Sequence, residues 1–114
     1  MDDCLFCGIV AGKVPSQEVA ATEHTFAFRD VQPAMPVHVL VVPRDHIGSA
    51  ADITAEHGPV LAEMITTAQS IAASEGLADR GYRLVFNVGE DALNSVPHLH
   101  LHVLGGRRMG WPPG

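Results

Sequence analysis

The chain has 114 residues, 46% of them hydrophobic, which suits one domain with a modest core. Its formal charge of −6 argues against a general binder of nucleic acid or of an anionic membrane, since either needs a basic surface. It leaves room for a small anion held locally by amides and imidazoles.

Met1-Asp2-Asp3 brings neither a basic segment nor an apolar run, so no signal peptide and no membrane span are expected, and the expected location is the cytoplasm. Cys4-Leu5-Phe6-Cys7 follows. Two cysteines at this spacing read as half a zinc site, a redox pair or a chance pair, and the strand that normally precedes a redox pair is missing. Leu5, Phe6, Ile9 and Val10 predict a short amphipathic helix that Gly12 ends. Glu18–Thr22 and Thr25–Arg29 read as strands around a turn at Glu23-His24, with Phe26 and Phe28 on one face and His24 in solvent. Prolines in 30–36 mark an irregular loop.

Val37–Val42 is apolar almost throughout and reads as a central strand. His38 interrupts it, as a satisfied core histidine or as part of a site. His46, after Pro43, reads by itself as a surface residue. Thr54 is placed to cap a long helix from about Ala55 to Ser74. Its apolar stripe includes Val60, Leu61, Met64, Ala68 and Ile71, with Gly76 as the C-terminal cap and His57 on the solvated face. Tyr82–Val88 reads as a further strand, and 89–95 as a loop of small residues that lets a phosphate approach backbone amides.

The last strand, 97–104, contains His98-Leu99-His100-Leu101-His102-Val103. Alternation of period two sends Leu99, Leu101 and Val103 to a core and sets the three histidines in a row, about 6.6 Å apart along the strand. Imidazoles in such a row suggest proton transfer, nucleophilic attack or metal binding. Three strands, a long helix and two more strands predict an α+β domain with an antiparallel sheet and the helix across one face.

His98-Leu99-His100-Leu101-His102-Val103-Leu104 resembles the motif of the histidine triad (HIT) family, and Gly105 to Gly114, ending Trp111-Pro112-Pro113-Gly114, resembles the tail of its nucleotide-binding branch. The likeness runs from Cys4 to Gly114, and it implies a single domain, 1–114, with 105–114 as the tail. It implies the α+β HIT-like fold, with a five-stranded antiparallel sheet, one long helix and a short N-terminal helix, in a homodimer that extends the sheet.

By that resemblance His100 is a nucleophile that takes a nucleoside monophosphate as a covalent adduct, and His102 with His38 supports it. A neutral imidazole with one nitrogen free and the other hydrogen-bonded is suited to that attack. Asn87 and Ser95 match positions that bind phosphate oxygens and the leaving group. Asp30 matches the acceptor of the ribose hydroxyls, with Val31 and Phe6 in line for the base pocket. Trp111 lies in the tail, which the family implies crosses toward the neighbouring active site. The bacterial type implies a structural zinc on Cys4, Cys7, His46 and His98, with no catalytic metal required.

The implied activity is that of a purine nucleoside phosphoramidase, with purine mononucleotides and nucleoside phosphoramidates as ligands. The alternatives are a dinucleoside polyphosphate hydrolase and a nucleotide-binding scaffold with incidental activity. Leu93-Asn94-Ser95-Val96 departs from the family's Gly-Gln-(Ser/Thr)-Val, which predicts an altered loop path or leaving-group space. Pro97 predicts a stiffened approach to the triad.

Overall fold

The computed structural model describes residues 4–114, so the reading of Met1-Asp2-Asp3 lies outside it. Helix α1 (Leu5–Val10) is followed by strands β1 (Glu18–Ala21), β2 (Thr25–Arg29) and β3 (Val37–Pro43), helix α2 (Gly58–Ser74), and strands β4 (Arg83–Val85) and β5 (Leu101–Gly105). The strands form one antiparallel sheet in the order β1-β2-β3-β5-β4.

Both faces of β3 are covered, which explains its unbroken apolar sequence. Val39 and Val41 join Ala27, Leu101 and Val103 in a core against Met64, Ala68 and Ile71 of α2. Leu40 and Val42 join Phe26 and Phe28 on the opposite face, where Phe6 and Ile9 of α1 pack on them. His38 has the parity of Leu40, and His102 pairs directly with Leu40. Both histidines therefore belong to the α1 side of the sheet.

The long helix starts later than its pattern suggests. Thr54 precedes a separate 3-10 turn, Ala55–His57, and α2 begins at Gly58 with Pro59 in its first turn. A helix begun at Ala55 would need the missing Pro59 amide to reach back to its carbonyl. His57 is not merely solvated, since its Nδ1 accepts from the Thr54 amide at 2.9 Å. The C-terminus matches expectation. Gly76 has φ +76°, its N–H donates to the Ala73 carbonyl, and the Leu77 N–H donates to the Ala72 carbonyl at 2.8 Å. That is a Schellman cap.

The last two strands are shorter than predicted. β4 covers only Arg83–Val85 of the expected 82–88, because Val85 already pairs with His102, one residue from the start of β5. Before Leu101 the chain leaves the ladder: the Leu99 N–H donates to the Ile47 carbonyl and the His98 N–H to the Val96 carbonyl. From Leu99 onward burial still alternates, with Leu99, Leu101 and Val103 at 2%, 1% and 0% exposure, whereas His98 is buried as well. Among the described residues no helix is long and apolar enough to cross a membrane.

Candidate functional site

The histidine segment joins two clusters that lie far apart in sequence. The first is formed by Cys4, Cys7, His46 and His98, whose ligating atoms all lie within 4.8 Å of one another. His98 Nδ1 lies 3.3 Å from Cys4 Sγ and 3.5 Å from Cys7 Sγ, and His46 Nδ1 lies 3.4 Å from Cys7 Sγ. Zinc bonds of about 2.3 Å to sulfur and about 2.0–2.1 Å to nitrogen put the sulfur–nitrogen edge of a tetrahedron at about 3.5 Å. The four side chains thus stand at the spacing of a closed tetrahedral zinc site.

The surroundings agree with that chemistry. His98 is fully buried, and its Nε2–H donates to the Pro43 carbonyl at 3.0 Å, so Nδ1 keeps its lone pair toward the sulfurs. Burial pushes His98 below its ordinary pKa, which keeps the ring neutral as a ligand must be. Cys4 also caps α1, its sulfur accepting from the Cys7 N–H at 3.3 Å. The local turn that starts the helix is therefore the turn that brings the two thiols together. His98 does not share a half-open face with the other two histidines; it is turned into this cluster.

The second cluster contains His38, His100, His102, Asp30 and Asn87. His100 Nδ1 lies 2.7 Å from the His98 carbonyl. A carbonyl only accepts, so Nδ1 carries the proton and the Nε2 lone pair is free. The edge of Phe6 packs against this imidazole with the centroids 5.1 Å apart, and against Phe28 at 5.3 Å. Phe6 thus contacts both Phe28 and the His100 imidazole.

The same reasoning fixes two more tautomers. The Ala34 N–H donates to His38 Nδ1 at 2.9 Å, so the neutral ring carries its proton on Nε2. That proton is donated to His102 Nδ1, 2.8 Å away, leaving the His102 proton on Nε2. Burial, followed by the nearby imidazoles of His100 and His38, pushes His102 down to about 4, so it is neutral at ordinary pH. His38 is lowered by burial too, against the opposing pull of Asp30, whose Oδ2 lies 3.4 Å from its Nε2. The Asn87 amide sits 3.4 Å from His102 Nε2, and turned to present Oδ1 it accepts that proton.

Asp30 Oδ1 accepts from the Gln32 N–H at 2.8 Å. Asp30, Arg29, Val31, Pro36 and His38 border a cavity of about 590 Å³. Val31 is 93% exposed there, and Trp111 is 84% exposed. The Arg83 guanidinium holds the tail near β4 by donating to the Gly110 carbonyl at 3.0 Å. Ser95 is exposed in the loop before the triad, where Leu93 has φ +62°. That left-handed conformation is strained for a residue with a Cβ. Asn94 Oδ1, in the same loop, is buried without a hydrogen-bond partner. The three groups that set the tautomers, the carbonyls of Pro43 and His98 and the amide of Ala34, are backbone atoms and leave no signal in the sequence.

The family model described as HIT domain matches residues 11–109. The purine nucleoside phosphoramidase of Escherichia coli K12 is 39% identical over 109 residues, covering 96% of this chain and 92% of that protein. A 14 kDa zinc-binding protein of Brassica juncea is 40% identical over 114 residues, covering 98% and 100%. The crystal structure of a HIT family hydrolase from Legionella pneumophila superposes with a TM-score of 0.96 at 44% identity, covering 98% of this chain and all of that one. With its fold, its histidine motif and these relatives in agreement, the chain belongs to the HIT family.

Proposed function

We propose that this protein is a hydrolase of nucleotides, specifically a purine nucleoside phosphoramidase that works through a nucleotidyl-His100 intermediate. The observation that carries the reading is the His100 Nδ1–H donated to the His98 carbonyl at 2.7 Å, which leaves Nε2 as a free nucleophile in a fixed orientation. Identity to the Escherichia coli phosphoramidase supports the substrate class.

Nε2 of His100 attacks the phosphorus, and the phosphorus–nitrogen bond of the substrate breaks. The amine leaves with that electron pair and takes one proton from solvent. Water then attacks the adduct, the bond from phosphorus to Nε2 breaks, and one proton returns to solvent. Each turnover thus consumes one water and releases a nucleoside monophosphate and an amine. When substrate binds, the His102 Nε2–H leaves Asn87 Oδ1 and donates to a phosphoryl oxygen during both displacements, and His38 holds His102 in the donating tautomer. Oδ2 of Asp30 accepts from the ribose hydroxyls, while Oδ1 is engaged by Gln32. Ser95 and Asn87 bind phosphate oxygens and the leaving group, and Val31 borders the base.

Zinc on Cys4, Cys7, His46 and His98 has a structural part in this reading. It ties α1, and through it Phe6, to the segment that carries His100. A homodimer joined at the free edge of β4 would extend the sheet and give the exposed Trp111 a surface.

Native mass spectrometry after brief mixing with adenosine 5′-phosphoramidate tests the reading. The expected result is one nucleoside monophosphate per chain, absent in His100→Ala, within a dimer mass. Neither an adduct nor released adenosine monophosphate from the unmodified protein would overturn it.

A further inference from the structure

A second cavity, of about 470 Å³ and lined by none of the histidines, lies at the C-terminal end of α2. Arg80, Arg107 and Arg108 line it together with Gly76, Gly81 and Gly106. The chain has only seven lysines and arginines against thirteen acidic residues. Three of those seven cations therefore converge on one concavity of an acidic molecule. Among the described residues none of the three guanidinium groups is within ion-pair distance of a carboxylate. Glu75, beside Gly76, is taken by Arg29 at 2.8 and 3.1 Å.

The backbone beside the concavity is closely packed. A side chain on Gly105 would meet Leu77 at 2.9 Å, and one on Gly106 would meet Pro36 at 2.8 Å. The turn carrying Arg80 is closed by the Gly81 N–H donating to the Leu77 carbonyl at 2.9 Å, and Leu77 is buried. Arg107 is steered by donating to the Arg108 carbonyl at 3.0 Å. The three forks are thus mounted on fixed segments, and the glycines leave the backbone bare beside them.

We propose that this cavity is an anion site for an oligophosphate, separate from the catalytic histidines. Three guanidinium forks supply more donors than one phosphate needs, and two or three linked phosphates match both the charge and the space. Two contacts link its surroundings to the cavity beside Asp30. Pro36, which borders that cavity, touches Gly106, and Arg29, which also borders it, holds Glu75. An oligophosphate here would therefore sit behind the segment that positions Asp30.

The test is a titration of the zinc-loaded full chain with sodium tripolyphosphate at constant ionic strength, followed by amide nitrogen–proton NMR. The expected result is saturable shifts of the Gly76, Gly81 and Gly106 amides with a dissociation constant below about 1 mM. The variant R80Q/R107Q/R108Q, changed only at exposed positions, is expected to bind at least about tenfold more weakly with the rest of its spectrum unchanged. Adenosine triphosphate in place of tripolyphosphate distinguishes the sources: equal shifts assign recognition to the phosphates, and tighter binding adds the nucleoside. No shift at the three glycines, shifts that sodium chloride reproduces, or shifts that persist in the triple variant would overturn the proposal. Since amides beside His100 are read separately, binding at the catalytic site alone also counts against it. A purely structural role of the arginines at the helix end would lower the Tm of the variant and leave no titration to lose.

Discussion

His38 Nε2 lies 2.8 Å from His102 Nδ1, and the direction of that hydrogen bond is set by the Ala34 N–H on the far nitrogen of His38. One backbone amide thus decides which nitrogen of His102 carries the proton. In nitrogen NMR of the imidazoles, His102 is expected as the neutral Nε2–H tautomer from neutral pH down to about 5, with protonation centred at about 4. Its folded pKa lies below the unfolded value of 6.5, so the unfolded chain binds the extra proton first. This contribution to stability is complete above 6.5 and is lost as the pH falls to about 4. A His102 that titrates near 6.5 in the folded protein would contradict the buried relay. His38→Ala is expected to slow turnover about 100-fold, measured as kcat.

Removing zinc should separate the N-terminal segment from the histidine strand. The binding free energy of a metal that only the folded chain can hold is stability, about 4 kcal/mol when free zinc exceeds its Kd about 1,000-fold. Chelation, or Cys7→Ser, is therefore expected to lower Tm by more than about 10 °C. The sheet core against α2 contains none of the four ligands. Circular dichroism at low temperature should accordingly keep the α2 signal. An unchanged Tm on chelation would show that the four side chains hold no metal.

Glu63 pins α2 to the turn between β1 and β2. Its carboxylate accepts from the Thr22 hydroxyl at 2.6 Å, from the His24 N–H at 2.7 Å and from His24 Nδ1 at 2.9 Å. The Thr22 hydrogen bond first, and then those from His24, hold Glu63 at about 2, and Glu63 in turn raises His24. Glu63 contributes above its ordinary 4.5 and is lost as the pH falls toward 2; His24 contributes below 6.5 and is lost as the pH rises through its raised pKa. Their joint effect is greatest between 4.5 and 6.5. Glu63→Gln should lower Tm most in that window, and thermal melts at pH 3, 5.5 and 9 check it. A deficit independent of pH would assign the effect to lost packing.

Leu93 holds φ +62° with its side chain 85% exposed. The left-handed conformation costs a non-glycine residue about 1–2 kcal/mol. A glycine would lose about 0.5–1 kcal/mol through its freer unfolded chain. The strain is the larger quantity, so Leu93→Gly is expected to stabilise the protein by about 0.5 kcal/mol in urea unfolding. A destabilised variant would mean that Leu93 makes contacts which outweigh its strain.

The sequence by itself determined the sheet's composition, the helix stripe and the histidine motif. Val37–Val42, Thr25–Arg29 and the α2 pattern are strings of local preference and periodic burial, and those survive into the fold because neighbours along the chain carry them. It also showed Gly76 as the helix stop, since a left-handed cap needs a residue without a Cβ. What only the tertiary structure decided was where each histidine points. Period two placed His98, His100 and His102 in one row, yet the chain leaves the ladder before Leu101 and turns His98 into the thiols. The free nitrogen of His100, the tautomers of His38 and His102 and the lone pair of His98 all follow from backbone carbonyls and one amide. Every residue except proline carries both of those groups, so their placement is invisible in side-chain identity and appears only when distant segments are brought together.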